Sequence, residues 1–142
     1  MKKPAPQIGQ IIRFDYLWRD EQERGRIEGA KDRPCAVIVA LQRADDGSQR
    51  VYVAPITHSQ PRDGLRAIEM PAQFNTLAGL DSERSWLITS ELNRVDWSDP
   101  GIVPARPDRW FYGSLPRGIA QRALKEIVRL SRLGVLKSVD RT

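Results

Sequence analysis

The sequence predicts a mainly β, α+β domain: five to seven short strands in a twisted sheet or small barrel, closed by one long C-terminal α-helix. Three observations carry this. Apolar and β-branched residues alternate or run together over short stretches from Ile8 to Val103. Turn sequences such as Asp46-Gly47 and Asp63-Gly64 separate those stretches. Beyond Ser114 the period becomes helical, with Ile119, Ala120, Ala123, Leu124, Ile127, Val128 and Leu130 in one stripe. A chain of 142 residues, 40% hydrophobic and 29% charged, suits a single globular domain spanning 1–142. The strands are expected within about 8–113 and the helix over about 115–133.

Ile8 to Trp18 places Ile12, Phe14, Tyr16 and Trp18 on one face and Arg13 and Asp15 on the other, the pattern of a half-buried strand. Arg19 to Asp32 mixes charges of both signs with two glycines. A short helix fits its first half and a functional loop fits the whole. Pro34 to Leu41 is apolar throughout, as expected of a central strand buried on both faces. Ala44 to Ser48 is a hairpin turn and Val51 to Ile56 the returning strand. Arg66 to Met70, Ser85 to Thr89 and Leu92 to Trp97 read as further strands, with a bulge near Ser90-Glu91, and Ile102-Val103 as an edge piece. Pro71 to Leu80 admits one helical turn. Ser114 is placed to cap the terminal helix, with Pro116 in its first turn and Gly134 as its C-terminal stop. The residues after Leu133 read as a frayed tail.

Several function classes have no support. No apolar run approaches the ~20 residues of a membrane helix. The basic start, Met1-Lys2-Lys3, is followed by polar residues, so a signal peptide is not expected and a cytoplasmic location is. Cys35 is the single cysteine and sits in an apolar run, which suits a buried small hydrophobe. One histidine, no Cys/His cluster, no P-loop and no Gly-rich dinucleotide turn give no expectation of a metal or cofactor. The net charge of +5 suits plain solubility or an anionic partner, nucleic acid or acidic protein.

The chemistry concentrates between Lys31 and Ser59. If the two apolar runs there pair antiparallel, Arg33 at the mouth of one meets Thr57, His58 and Ser59 at the exit of the other. An arginine fork suits a phosphate, and hydroxyls add donors for phosphoryl oxygens. Such a set can stabilise the crowded phosphorus centre formed when an RNA 2′-hydroxyl attacks its own phosphodiester, a reaction that needs no metal.

Arg33-Pro34-Cys35-Ala36-Val37-Ile38, followed by Val53-Ala54-Pro55-Ile56-Thr57, resembles the MazF/PemK-type toxins of bacterial toxin–antitoxin systems, as does the opening Gly9 to Asp15. The resemblance covers about residues 8 to 130 and departs from the commoner members at about 72–84 and 98–115. It implies an SH3-like β-barrel with a C-terminal helix, a homodimer, and a metal-independent endoribonuclease that cuts single-stranded RNA and is neutralised by a cognate antitoxin. By the same resemblance Arg33 binds the scissile phosphate and aids the leaving oxygen, Thr57 holds a phosphoryl oxygen, and Glu28 matches a loop glutamate. Lys31, Ser59 and Glu91 are the further expected RNA contacts; Glu91 and Asn93 sit where family members place a polar pair near the substrate groove, and a bulge satisfying its own backbone is the alternative. His58 departs from the family pattern. Its imidazole suits a general base on the 2′-hydroxyl or a base stack, against a bland alternative of a strand-end histidine bonded to backbone. Two rival functions remain: a non-catalytic RNA- or protein-binding module of this fold, and a toxin acting on a protein such as a topoisomerase. Trp18 and Trp86 are expected in the core, with stacking platforms as the alternative, and Trp110-Phe111-Tyr112 is expected to pack beneath the helix, with a dimer interface or a seat for antitoxin anchors as its alternatives.

Overall fold

A computed structural model describes residues 1–43, 45–77 and 84–142. The first residue of the expected hairpin turn and the end of the expected 71–80 turn, with residues 78–83 of the unusual 72–84 stretch, lie outside those residues. The described chain is mainly β, with nine strands in place of the five to seven expected. In order these are β1 (Gln10–Phe14), β2 (Arg33–Gln42), β3 (Gln49–Thr57), β4 (Ala67–Glu69), β5 (Trp86–Ile88), β6 (Glu91–Asp96), β7 (Ile102–Val103), β8 (Gly113–Ser114) and β9 (Lys137–Asp140). Helix α1 (Arg19–Glu23) follows β1, α2 (Ala72–Leu77) precedes β5, and α3 (Arg117–Arg132) lies between β8 and β9.

The central hairpin of β2 and β3 forms because two apolar runs are joined by a short polar turn. Arg43 N donates to Ser48 O at 2.8 Å, and Gly47 takes φ +70°, a conformation that favours glycine. β1 pairs antiparallel with β2, and its outer edge is shared by β7 and β8. β3 divides its own outer edge: Arg50 to Val53 pair with β6, while Ile56 and Thr57 pair with β5, which carries β4 beyond it. The sequence of pairings therefore runs from β4 to β7 as an open sheet, and no pairing among the described residues closes it into a barrel. The split of β3 and the register shift between Val37 and Val39 bend the sheet.

Both faces of the sheet are covered. Ile11, Ala36, Ile38, Ala54 and Ile56 pack with Ile119, Ala123 and Ile127 of α3. Ile12, Phe14, Cys35, Val37, Val51 and Val53 pack on the other face with Tyr16, Trp18, Val95 and Trp97. The expected stripe of β1 is thus present, but Ile11 is buried as well, so the strand is covered on both faces rather than one. On α3 the buried residues are Ile119, Ala123, Ile127 and Leu130, whereas Leu124 and Val128 are exposed. Pro116 takes the position before the helix, and the expected Ser114 cap instead belongs to β8. At the other end Gly134, φ +74°, donates to Ser131 O, and Val135 N reaches Leu130 O, so the helix ends in a Schellman turn.

That turn sends the chain back into the sheet. The expected frayed tail is β9, parallel to β6, and Arg141 beyond it is almost fully buried. Its Nη1 donates to Asp15 O at 2.8 Å, its Nη2 to Asp15 Oδ2 at 3.1 Å, and its guanidinium stands 4.9 Å from the centre of the Phe14 ring. Phe111 stacks on Trp97 with ring centres 6.4 Å apart, and Tyr112 packs on the helix-side core, so both aromatics are partly buried against the core. No helix among the described residues is long and apolar enough to cross a membrane.

Candidate functional site

The strand registers set the site. Phe14 pairs with Arg33, and Thr57 pairs with Trp86. The β2–β3 ladder reaches Cys35 opposite Pro55, and two steps further the same register sets Arg33 opposite Thr57. Both side chains line one cavity of about 320 Å³, together with Lys31 and Ser59. Four of the seven expected site residues therefore share one concave surface at one end of the sheet.

The same cavity holds Trp18, read from the sequence as core, and four residues that the sequence did not assign to a site: Asp20, Glu21, Arg24 and Arg62. The indole of Trp18 is its platform, with the Arg33 guanidinium 5.4 Å and the Arg62 guanidinium 5.2 Å from its ring. Trp18 is mostly buried, as expected of a core residue, yet its ring also forms a wall of the site. Arg62 Nη1 lies 2.6 Å from Asp20 Oδ2, and Arg24 Nη1 lies 3.8 Å from the same oxygen. The hydrogen bond from Arg62 holds the Asp20 carboxyl below its ordinary range, so it is ionised at neutral pH. Arg33 and Lys31 have no carboxylate within ion-pair distance among the described residues. The cavity thus presents two uncompensated cations beside a neutralised pair, an arrangement that suits an anion.

Thr57 is buried, and its hydroxyl donates to Ser59 O at 2.8 Å. A phosphoryl oxygen at Thr57 would take over a donor already aimed at the strand exit. His58 is exposed between two cavity-lining residues but does not itself line the cavity, and it makes no hydrogen bond among the described residues. Its position is therefore the rim, and the bland reading of a backbone-bonded histidine has no contact behind it. Glu28 is exposed on the loop before β2, also outside the cavity.

Glu91 is placed differently from its expected role as an RNA contact. It is 4% exposed, and its Oε1 accepts from Tyr16 Oη at 3.0 Å and from Arg19 N at 3.2 Å. Its work is to hold the start of α1 against the sheet. Burial raises its carboxyl above the ordinary value of 4.5, outweighing both hydrogen bonds. The folded state then favours the protonated form more than the unfolded chain does, so this group costs stability as pH climbs above about 4.5 through its raised folded value. Glu91→Gln keeps an acceptor for both donors and removes the charge. Its stability relative to wild type should rise as pH climbs from about 4.5 in urea unfolding. A difference independent of pH would mean that Glu91 is not held in a desolvated site.

The approach of the charged loop depends on Gly29. A Cβ at this position would overlap the main-chain oxygens of Asp15 and Tyr16, so only glycine allows the loop to lie against the end of β1. Gly29→Ala should cost roughly 1–3 kcal/mol in denaturant unfolding, because the obstacles are backbone atoms that cannot swing aside. Cys35 is fully buried, and burial pushes its thiol far up, which leaves it inert as the sequence suggested. Among the described residues no group of three or more His, Cys, Asp or Glu is arranged to hold a metal ion. No protein-family model, curated protein or solved structure matches the chain.

The missed residues carried weak local signals. Arg62 stands in an Arg-Asp-Gly turn and Asp20 in a run of mixed charge, and nothing local links positions 42 residues apart. Only Trp18, at the end of an alternating strand, was visible, and there its role read as core.

Proposed function

We propose that this chain is a metal-independent endoribonuclease of the MazF/PemK toxin type, cutting single-stranded RNA in the cytoplasm. The observation that carries the reading is the convergence of Arg33 and Thr57 on one cation-rich cavity at a sheet end. In this reading the open sheet serves the same purpose as the family's SH3-like barrel, with the protein acting as a homodimer and neutralised by a cognate antitoxin that covers the cavity.

The mechanism uses the substrate's own nucleophile. The 2′-hydroxyl attacks the adjacent phosphorus in line as His58, at the cavity rim, takes its proton. The P–O5′ bond breaks, leaving a 2′,3′-cyclic phosphate on one product and, once the departing oxygen takes a proton from water, a 5′-hydroxyl on the other. The Arg33 fork bonds the phosphoryl oxygens and offers the proton-rich edge toward the leaving oxygen, and Thr57 donates to a second phosphoryl oxygen. Arg62, paired with Asp20, lies against the Trp18 ring and completes that wall of the cavity. Lys31, Ser59 and the exposed Glu28 meet the flanking nucleotides. Glu91 acts through α1 by keeping Trp18 and Asp20 in position.

End-group analysis of the products tests this. Cyclic-phosphate and 5′-hydroxyl ends are expected, with His58→Ala slowing single-turnover cleavage at least about tenfold. Products with 5′-phosphate ends would rule out attack by the 2′-hydroxyl, and an unchanged rate in His58→Ala would remove the imidazole from the mechanism.

A further inference from the structure

We propose that the groove between α3 and β4 binds phosphates of the RNA strand flanking the bond cut at Arg33; the proposal rests on the ribonuclease reading. The groove is about 370 Å³ and is lined by Arg66, Thr89, Arg122, Lys125, Glu126 and Arg129, among others. The four residues from α3 are spaced at 122, 125, 126 and 129, so they share one face of the helix. Glu126 holds two guanidinium groups in place. Arg66 Nε donates to its Oε1 at 2.7 Å, while Arg129 Nε donates to its Oε2 at 3.1 Å and Arg129 Nη2 to its Oε1 at 3.0 Å. Four cations thus face a single carboxylate, and the two bridged arginines are pre-positioned. Arg122 and Lys125 are exposed and have no carboxylate within ion-pair distance among the described residues.

Charge complementarity identifies the ligand. Leu65 lines the Arg33 cavity and packs on the Trp18-side core, while Arg66, the next residue, lines the groove beside α3, so the two basic surfaces are one residue apart along the chain. Repeated charges on one extended chain match a track of this kind, and single-stranded RNA supplies one phosphate per nucleotide. Neither an internal ion pair nor the core explains Arg122 and Lys125, since both side chains stand on the outer face of a helix whose buried face is Ile119, Ala123, Ile127 and Leu130.

The double variant Arg122→Ala/Lys125→Ala tests the groove, and both sites are exposed helix positions where alanine is well tolerated. Binding is read by fluorescence anisotropy with 2′-deoxy strands that cannot be cut, one of about 12 nucleotides and one of about 3. The long strand should bind about tenfold more weakly to the variant, with its salt slope reduced by about 1.4 for two lost phosphate contacts. The short strand, confined to the Arg33 cavity, should bind both proteins equally. Unchanged affinity for the long strand overturns the proposal and leaves the groove to an acidic protein partner. Equal weakening for both strands also overturns it, since the effect would then be a general field. If wild type binds neither strand, the ribonuclease reading fails and takes this proposal with it.

Discussion

Replacing Asn93 by alanine is expected to lower the melting temperature by roughly 10 °C. Asn93 is fully buried on β6, and its side chain imitates a strand partner for Leu17. Leu17 N donates to its Oδ1 at 2.9 Å, and its Nδ2 donates to Leu17 O at 2.8 Å. β1 has ended at Phe14, so Leu17 has no ladder of its own, and its buried main-chain groups depend on this amide. Alanine would leave one donor and one acceptor unpaired without water, at a cost of about 3 kcal/mol. It would also deprive Arg141 Nη1 of the Asn93 Oδ1 acceptor at 3.3 Å. Thermal unfolding checks this, and a melting temperature within about 2 °C of wild type would mean that Leu17 is held by other contacts. The consequence reaches the site, because Leu17 is followed by Trp18, the wall against which Arg33 and Arg62 lie.

Arg33→Ala should reduce RNA cleavage by about 10²–10³-fold while leaving stability nearly unchanged. Its side chain is half-buried at the first position of β2, with only the Trp18 ring as partner among the described residues, a contact worth about 1 kcal/mol at most. The loss would therefore be one of phosphate recognition rather than of fold. Arg33→Lys restores the charge but not the two parallel donors, so it should recover less than about a tenth of the activity. Comparable rates for the lysine and wild-type proteins would mean that a point charge is sufficient and that no bidentate contact is made.

The sequence made the fold legible where period and turn chemistry agree. The β2–β3 hairpin, the β1 stripe and the α3 core face all follow from apolar spacing, and the register of that hairpin brings Arg33 and Thr57 together as their positions suggested. What escaped depends on contacts distant along the chain. β9 looked like a tail because Lys137 to Asp140 carries one apolar residue, Val139, and becomes a strand only by pairing with β6. The expected barrel rested on strand number and resemblance, whereas closure is decided by which edges pair, and β3 splits its edge between two partners. Glu91 read, with Asn93, as a polar pair near a substrate groove or as part of a bulge. Its burial follows from Tyr16, whose hydroxyl needs a partner inside the core, a requirement that pattern alone does not locate.

Cleavage of a long single-stranded RNA in EDTA, by wild-type protein and Arg33→Ala side by side, tests the central claim most directly. The account predicts defined cuts by wild type that need no metal, are abolished by a 2′-deoxy substitution at the cut site, and are lost in Arg33→Ala. Cuts that survive the arginine substitution, or no cutting by folded wild-type protein, would contradict it.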